Sequence, residues 1–227
     1  MVKPDIHKAN LIGILKEIYS DPLLRSILGF KGGTAAMLFY DLPRLSVDLD
    51  FDLLDVKKKM VVYKKLETIL PQFGELIEAQ DKYYTLFFLV RYEKGGRNLK
   101  IEISKRETLA HYEPKDYLGI SMLVMTQADM VASKLVALLT RSRFASRDLF
   151  DLWFFLKNNW EINEKVVEEL SRMTLTDALK KAEEKVKTIK KTELLSGLGD
   201  LLDIKQKNWV KTNLLEELIF LITLYKS

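Results

Sequence analysis

The chain of 227 residues has no cysteine, two histidines and five prolines, and it lacks any apolar run long enough to span a bilayer. Each shortage removes a class of function. Without thiols there is no disulfide scaffold, no cysteine nucleophile and no cysteine-ligated zinc or iron–sulfur site, and a cytoplasmic setting is expected. His7 and His111 are too few to build a histidine-based metal cluster. The opening MVKPDIHKANLIGIL lacks the apolar segment and small-residue cleavage site of a secretory signal. Near the end, LIFLITLY follows Glu216 and Glu217 and falls far short of the ~20 apolar residues of a spanning helix, so no membrane partner is expected. What is present is core-forming material: 48% hydrophobic residues beside 30% charged ones of both signs, with a net charge of +4. That is enough for one large domain or two small ones. The basic excess permits a polyanionic partner but equally describes an ordinary solvated surface.

The texture of the chain changes once. Helical periodicity over 5–20 leads to a short strand at Leu28–Lys31, a helix over Ala35–Tyr40 capped by Thr34, and a strand over Ser46–Leu54. An amphipathic helix over Lys57–Leu70 follows, then strands at Gly74–Ala79, Tyr83–Tyr92 and Leu99–Ser104, the last two joined by the hairpin signal EKGGRN. From Thr126 onward the pattern is helical: Ala128–Thr140, Arg147–Lys157, Glu164–Met173, Thr176–Lys190 and Leu214–Tyr225. The expected fold class is therefore α+β, with an N-terminal mixed-sheet core, a C-terminal helical bundle, and a seam between Thr108 and Thr126. The lysine-rich KKAEEKVKTIKKTE reads as an exposed helix of alternating charge.

The chemistry concentrates in FKGGTAAMLFYDLPRLSVDLDFDLL, residues 30–54. In a strand, alternate side chains share a face, so Val47, Leu49, Phe51 and Leu53 point into a core while Asp48, Asp50 and Asp52 line the other side. A solvent-facing strand would tolerate two aspartates. Three are harder to place, because aspartate is a poor strand former and neighbouring carboxylates repel unless cations neutralise them. Hard divalent cations bind carboxylate oxygens, which makes magnesium or manganese the economical explanation. In LKIEISKR, Lys100, Glu102 and Ser104 share one face, so Glu102 can add a third carboxylate to Asp48 and Asp50. Such a set suits two-metal phosphoryl displacement. The glycine pair at 32 and 33 stands where a strand passes into a helix; it serves either as a tight turn or as a place for a phosphate to approach backbone amides.

These residues together resemble the AbiEii/AbiGii-type nucleotidyltransferase toxins, within the DNA polymerase beta-like nucleotidyltransferase superfamily. The resemblance rests on Lys31, Gly32, Gly33, Thr34, Arg44, Ser46, Asp48 and Asp50, then on Lys134 within ADMVASKLVALLTR and the Arg147-Asp148 pair opening SRDLFDLWFF. It implies a nucleotidyltransferase domain over 1–120 and a helical domain over 121–227 that completes the active-site cleft. It also implies transfer of a nucleoside monophosphate from a nucleoside triphosphate to an acceptor hydroxyl, with the 3′ end of transfer RNA as acceptor, and the toxin role of a type IV toxin–antitoxin pair with a cognate antitoxin. Asp48, Asp50 and Glu102 would hold Mg2+ or Mn2+, and Asp48, Asp50, Glu102, Lys134 and Asp148 would be catalytic. Lys31, Gly32, Gly33, Thr34, Arg44, Ser46, Lys134 and Arg141 would bind nucleotide. Two departures stand out: Asp52 is an additional acid whose role the motif does not fix, and position 102 carries glutamate where relatives often have aspartate. The alternatives are a nucleotide-sensing or partner-binding module on the same fold, and a metal-dependent phosphodiesterase.

The helical motifs admit a plainer reading as well. At ~100° per residue, Lys134 and Arg141 lie within about 20° of each other beside the stripe of Val131, Leu135 and Leu138. Asp148 and Asp151 share a side of the next helix, where Ser146 is the expected cap. An interhelical salt bridge from Arg141 to Asp148 would account for that charge without catalysis. Lys134→Ala is expected to fold normally and to lose transfer, because it removes positive charge from the triphosphate site.

Overall fold

The computed structural model describes residues 4–142 and 144–226. Two compact units divide them, the first running to Thr108 and resuming over Tyr112–Met125, the second taking Leu109–His111 and the chain from Thr126.

The first unit begins with α1 (Pro4–Ser20), whose Leu11, Ile14, Leu15 and Ile18 recur at helical spacing and are buried. Asp21 then caps α2 (Pro22–Ile27), accepting from the amides of Leu23 at 2.9 Å and Leu24 at 3.0 Å. The chain continues through β1 (Leu28–Lys31), α3 (Gly32–Phe39), β2 (Asp48–Leu53), α4 (Lys59–Ile69), β3 (Glu75–Asp81), β4 (Thr85–Arg91), β5 (Leu99–Ser104), β6 (Tyr112–Tyr117) and β7 (Ile120–Met125). The strands form one mixed seven-stranded sheet in the order β3-β4-β5-β2-β1-β7-β6. β2 is central, antiparallel to β1 and parallel to β5. Its apolar face carries the core: Val47, Leu49, Phe51 and Leu53 are all buried, and Phe51 packs on Phe30 with ring centroids 5.2 Å apart. Period-two alternation puts the acids on the opposite face.

The second unit is helical: α5 (Gln127–Thr140), α6 (Ser146–Lys157), α7 (Glu164–Ser171), α8 (Leu175–Thr188), α9 (Ile204–Thr212) and α10 (Leu214–Lys226). α5 packs on α6, α7 and α8, and α10 on α6, α8 and α9. Among the described residues no helix is long and apolar enough to cross a membrane. The α+β class read from the sequence is the one observed.

Several local readings change. The region read as a seam contains β6 and β7, joined by a tight turn with Leu118 at φ 50° and Gly119 at φ 76°. β6, YEPKDY, has little apolar content and a proline, and it forms the sheet edge, where a missing ladder donor is tolerated. α3 starts two residues before Thr34, with Lys31 at the cap position. Thr34 does not cap it; its hydroxyl donates to the Asp48 carbonyl and lies 3.0 Å from the Ser46 hydroxyl. Nor is Ser146 a cap: it lies inside α6, behind Ala145, and donates to the Glu193 carbonyl at 2.9 Å. In both cases the helix starts earlier than expected, so the hydroxyl lies inside it and donates to a carbonyl brought in from another part of the chain. α2 and α9 had readable starts in Asp21-Pro22 and in Asp203 with Gln206, which forms a capping box.

Candidate active site

The acids of β2 stand in register with charged partners on both sides. Asp48 pairs with Lys100, Asp50 with Glu102 and Asp52 with Ser104 across β5, while Lys31 faces Asp50 and Gly29 faces Asp52 across β1. Opposite residues in a sheet share a face, so Lys31, Asp50 and Glu102 form one row, flanked by Asp48 with Lys100 and by Asp52 with Ser104. Entry to the strand is fixed by His7, whose Nε2 donates to the Val47 carbonyl at 2.8 Å while Nδ1 lies 2.8 Å from the Tyr92 hydroxyl. Burial pushes the His7 pKa below its ordinary value and favours this neutral, bridging form.

The carboxylates have different surroundings. Asp52 is buried and held at both oxygens: the Lys31 ammonium is 2.6 Å away, and the Tyr112 hydroxyl donates to it. The Tyr112 ring lies over Gly29, where a Cβ would collide with it. The acid left without a role by the motif thus orients Lys31. Glu102 and Asp48 share the Lys100 ammonium, at 2.9 Å and 3.5 Å. Burial opposes the charge on Lys100, but the surrounding acids outweigh it and raise its pKa above the ordinary lysine value. Asp50 has neither a hydrogen bond nor an ion pair among the described residues. Desolvation, with Asp48 and Glu102 adding to it against the attraction of Lys100 and Lys31, raises its pKa.

The glycines answer to this packing. Gly32 has φ 79°, and a Cβ there would lie 2.7 Å from Asp50 Oδ2. A Cβ on Gly33 would lie 2.5 Å from Arg44 Nη2 and 2.9 Å from the Ser46 hydroxyl. Only glycines let the acid and the buried Arg44 close against the start of α3, so the turn brings helix amides, guanidinium and carboxylate together. Lys31, Gly32, Gly33, Thr34, Arg44, Ser46, Asp48, Asp50 and Glu102 are therefore gathered around β1, β2, β5 and the beginning of α3.

The donor set is all oxygen, spans adjacent register positions and includes one unpartnered carboxylate, which suits a hard divalent cation. Among the described residues no three acids converge as a ready-made metal group, and Glu102 is turned toward Lys100.

Within the helical unit, Lys134 lies 2.9 Å from Asp148 and 2.7 Å from Asp151, and Arg141 lies 2.7 Å from Asp148. Both acids are buried. The Arg141 to Asp148 bridge is formed, and Lys134 is joined to it, so the expectation that Lys134→Ala folds normally gives way: its removal would strip two buried acids of a partner. Lys100 and Tyr112 were missed as site residues. Lys100 was visible in LKIEISKR on the acid's own face, whereas nothing near Tyr112 signals a contact with a strand sixty residues earlier.

A glycine turn opening a helix beside a D-x-D strand, with a further acid from a parallel neighbour, places the molecule in the nucleotidyltransferase class. More particularly, the family described as Nucleotidyl transferase AbiEii toxin, Type IV TA system, matches residues 13–216, and the chain belongs to that family. A solved structure of a candidate nucleotidyltransferase from H. pylori is similar, with TM-score 0.65 and 24% identity over 100% of this chain and 96% of that chain. JHP933 from Helicobacter pylori is similar too, with TM-score 0.64 and 23% identity over 100% of this chain and 94% of the other. At these identities the likeness shows the fold. Comparison with curated proteins gives no match.

Proposed function

We propose that the chain transfers a nucleoside monophosphate from a nucleoside triphosphate to a hydroxyl at the 3′ end of transfer RNA, and that a cognate antitoxin opposes this activity. The observation that carries the reading is Asp50: a carboxylate without a partner, raised in pKa, seated between two further acids and closed against Gly32. A fold keeps such a group at some cost in stability, which a function repays. Asp48, Asp50 and Glu102 are the residues that would hold Mg2+ or Mn2+, which when bound supplies charge neutralisation at the phosphates and a more acidic acceptor hydroxyl.

The chain's own groups divide the rest of the work. The amides at the start of α3, with Lys31, Thr34, Arg44 and Ser46, receive the triphosphate, and Asp52 keeps the Lys31 ammonium turned inward. Glu102 takes the proton of the attacking hydroxyl as its oxygen bonds to the α-phosphorus, and the bond from that phosphorus to the β-phosphate oxygen breaks to release pyrophosphate. Lys134 and Arg141 are assigned to neutralising the triphosphate, and Asp148 to holding both in position.

Incubation of purified protein with each labelled triphosphate, magnesium and total cellular RNA tests the proposal. Label entering transfer RNA supports it. Shortened RNA would make the protein a phosphodiesterase, and triphosphate binding without either product would make it a sensing module.

A further inference from the structure

The residue that the motif does not include, Lys100, stands at one end of the carboxylate face, between Asp48 and Glu102. It lies opposite Asp48 in register, and its ammonium reaches Glu102 Oε2 at 2.9 Å and Asp48 Oδ2 at 3.5 Å. An ammonium and a hard divalent cation seek the same oxygens, and a carboxylate oxygen turned to one is withdrawn from the other. That commitment of Glu102 accompanies the lack of three converging acids among the described residues.

We propose that Lys100 is a resident counter-ion of the metal site: it neutralises the carboxylate face when no divalent cation is bound and is displaced when one binds. The inference rests on the metal-dependent reading above. Two observations support the exchange. The Lys100 side chain is 27% exposed, so its flexible four-carbon stem has a route to solvent, and the Glu102 side chain is 34% exposed, so it is free to turn. Asp50, without an ion pair, offers a first oxygen ligand that needs no displacement. Binding would therefore begin at Asp50 and be completed as Lys100 releases Glu102 and Asp48. Lys100 is a positioning residue in this scheme, since it acts through the acids.

The test uses Mn2+ and the 227-residue chain without nucleotide. Titration followed by the electron paramagnetic resonance of free Mn2+ compares wild type, Lys100→Met and Lys100→Arg. In parallel, reductive methylation with mass spectrometric readout follows the reactivity of Lys100 in the wild type with and without Mn2+. Displacement expects Lys100→Met to bind Mn2+ roughly tenfold or more tightly than wild type, Lys100→Arg to bind no more tightly, and methylation of Lys100 to rise severalfold on adding Mn2+. Unchanged methylation at saturating Mn2+ would overturn the proposal while leaving the metal reading intact, whatever the variants do, because simple charge removal also tightens binding. Absence of Mn2+ binding to all three proteins would instead remove the metal reading, and this inference with it. The methylation arm requires no variant to fold.

Discussion

The two units each bring lysine and acid together, but to opposite effect. In the helical unit Asp148 and Asp151 are buried, and Lys134 and Arg141 meet them at 2.7–2.9 Å. On the sheet, Lys31 holds Asp52, Lys100 is shared by Glu102 and Asp48, and Asp50 has no ion pair among the described residues. Buried acids held by ion pairs lose much when a partner is removed. A desolvated carboxylate without an ion pair, such as Asp50, gains from an added cation. The same residue types thus contribute to stability in one place and to ligand readiness in the other.

The largest effect should come from breaking the ion-paired group of the helical unit. Asp148→Ala leaves Lys134 and Arg141 without a shared acid and should destabilise the protein by ~3–5 kcal/mol in urea unfolding. In a double-mutant cycle with Arg141→Ala the two changes should couple strongly. A loss below ~1 kcal/mol, additive with the arginine change, would show that Asp148 does not hold the two cations and would favour a direct role on the substrate instead.

Next comes Asp52, a buried sheet acid held at both oxygens. Asp52→Asn should cost about 1–3 kcal/mol and weaken triphosphate binding, since Lys31 loses its anchor. Tyr112→Phe removes only the hydroxyl and should cost less. Equal triphosphate affinity in Asp52→Asn and wild type would separate Lys31 from nucleotide binding.

Asp50→Asn should go the other way. Its pKa is raised in the folded state, so ionised Asp50 destabilises above the unfolded carboxylate value, and the penalty disappears as pH falls toward ~4. In metal-free buffer at pH 7 the variant should melt roughly 2–4 °C higher than wild type, with the gap closing in acid, while transfer is lost. A lower melting temperature at pH 7 would mean that Asp50 is stabilised by its surroundings, contrary to the comparison.

The smallest effect is expected where charge is not buried. Lys180 and Lys181 on α8 are exposed, and Lys185 donates to the Leu139 carbonyl at 3.3 Å. Changing all three to glutamine should leave RNA affinity within about twofold of wild type at each salt concentration. A large drop with a shallower salt dependence would identify α8 as a phosphate-binding surface through lost counterion release.

The sequence by itself determined the sheet strand, its two faces and the family. Alternation over Val47–Leu53 leaves one way to bury the apolar set, and the order KGGT, D-x-D, Lys134, Arg147-Asp148 is legible because these are local strings with fixed periods. Tertiary structure decided which charges meet. Residues 28 and 53, 48 and 100, and 52 and 112 become neighbours only once strand order and register are set, and neither follows from local periodicity. That is why Asp52 had no role in the sequence and acquires one beneath Tyr112, why Thr34 and Ser146 gave up their expected caps, and why β6, with its proline and scattered charges, became visible as a strand only against β7. A side chain's type states what it can bond to; which partner it obtains depends on the competition among everything the fold brings within reach, and for a carboxylate that competition separates an anchor from a ligand site.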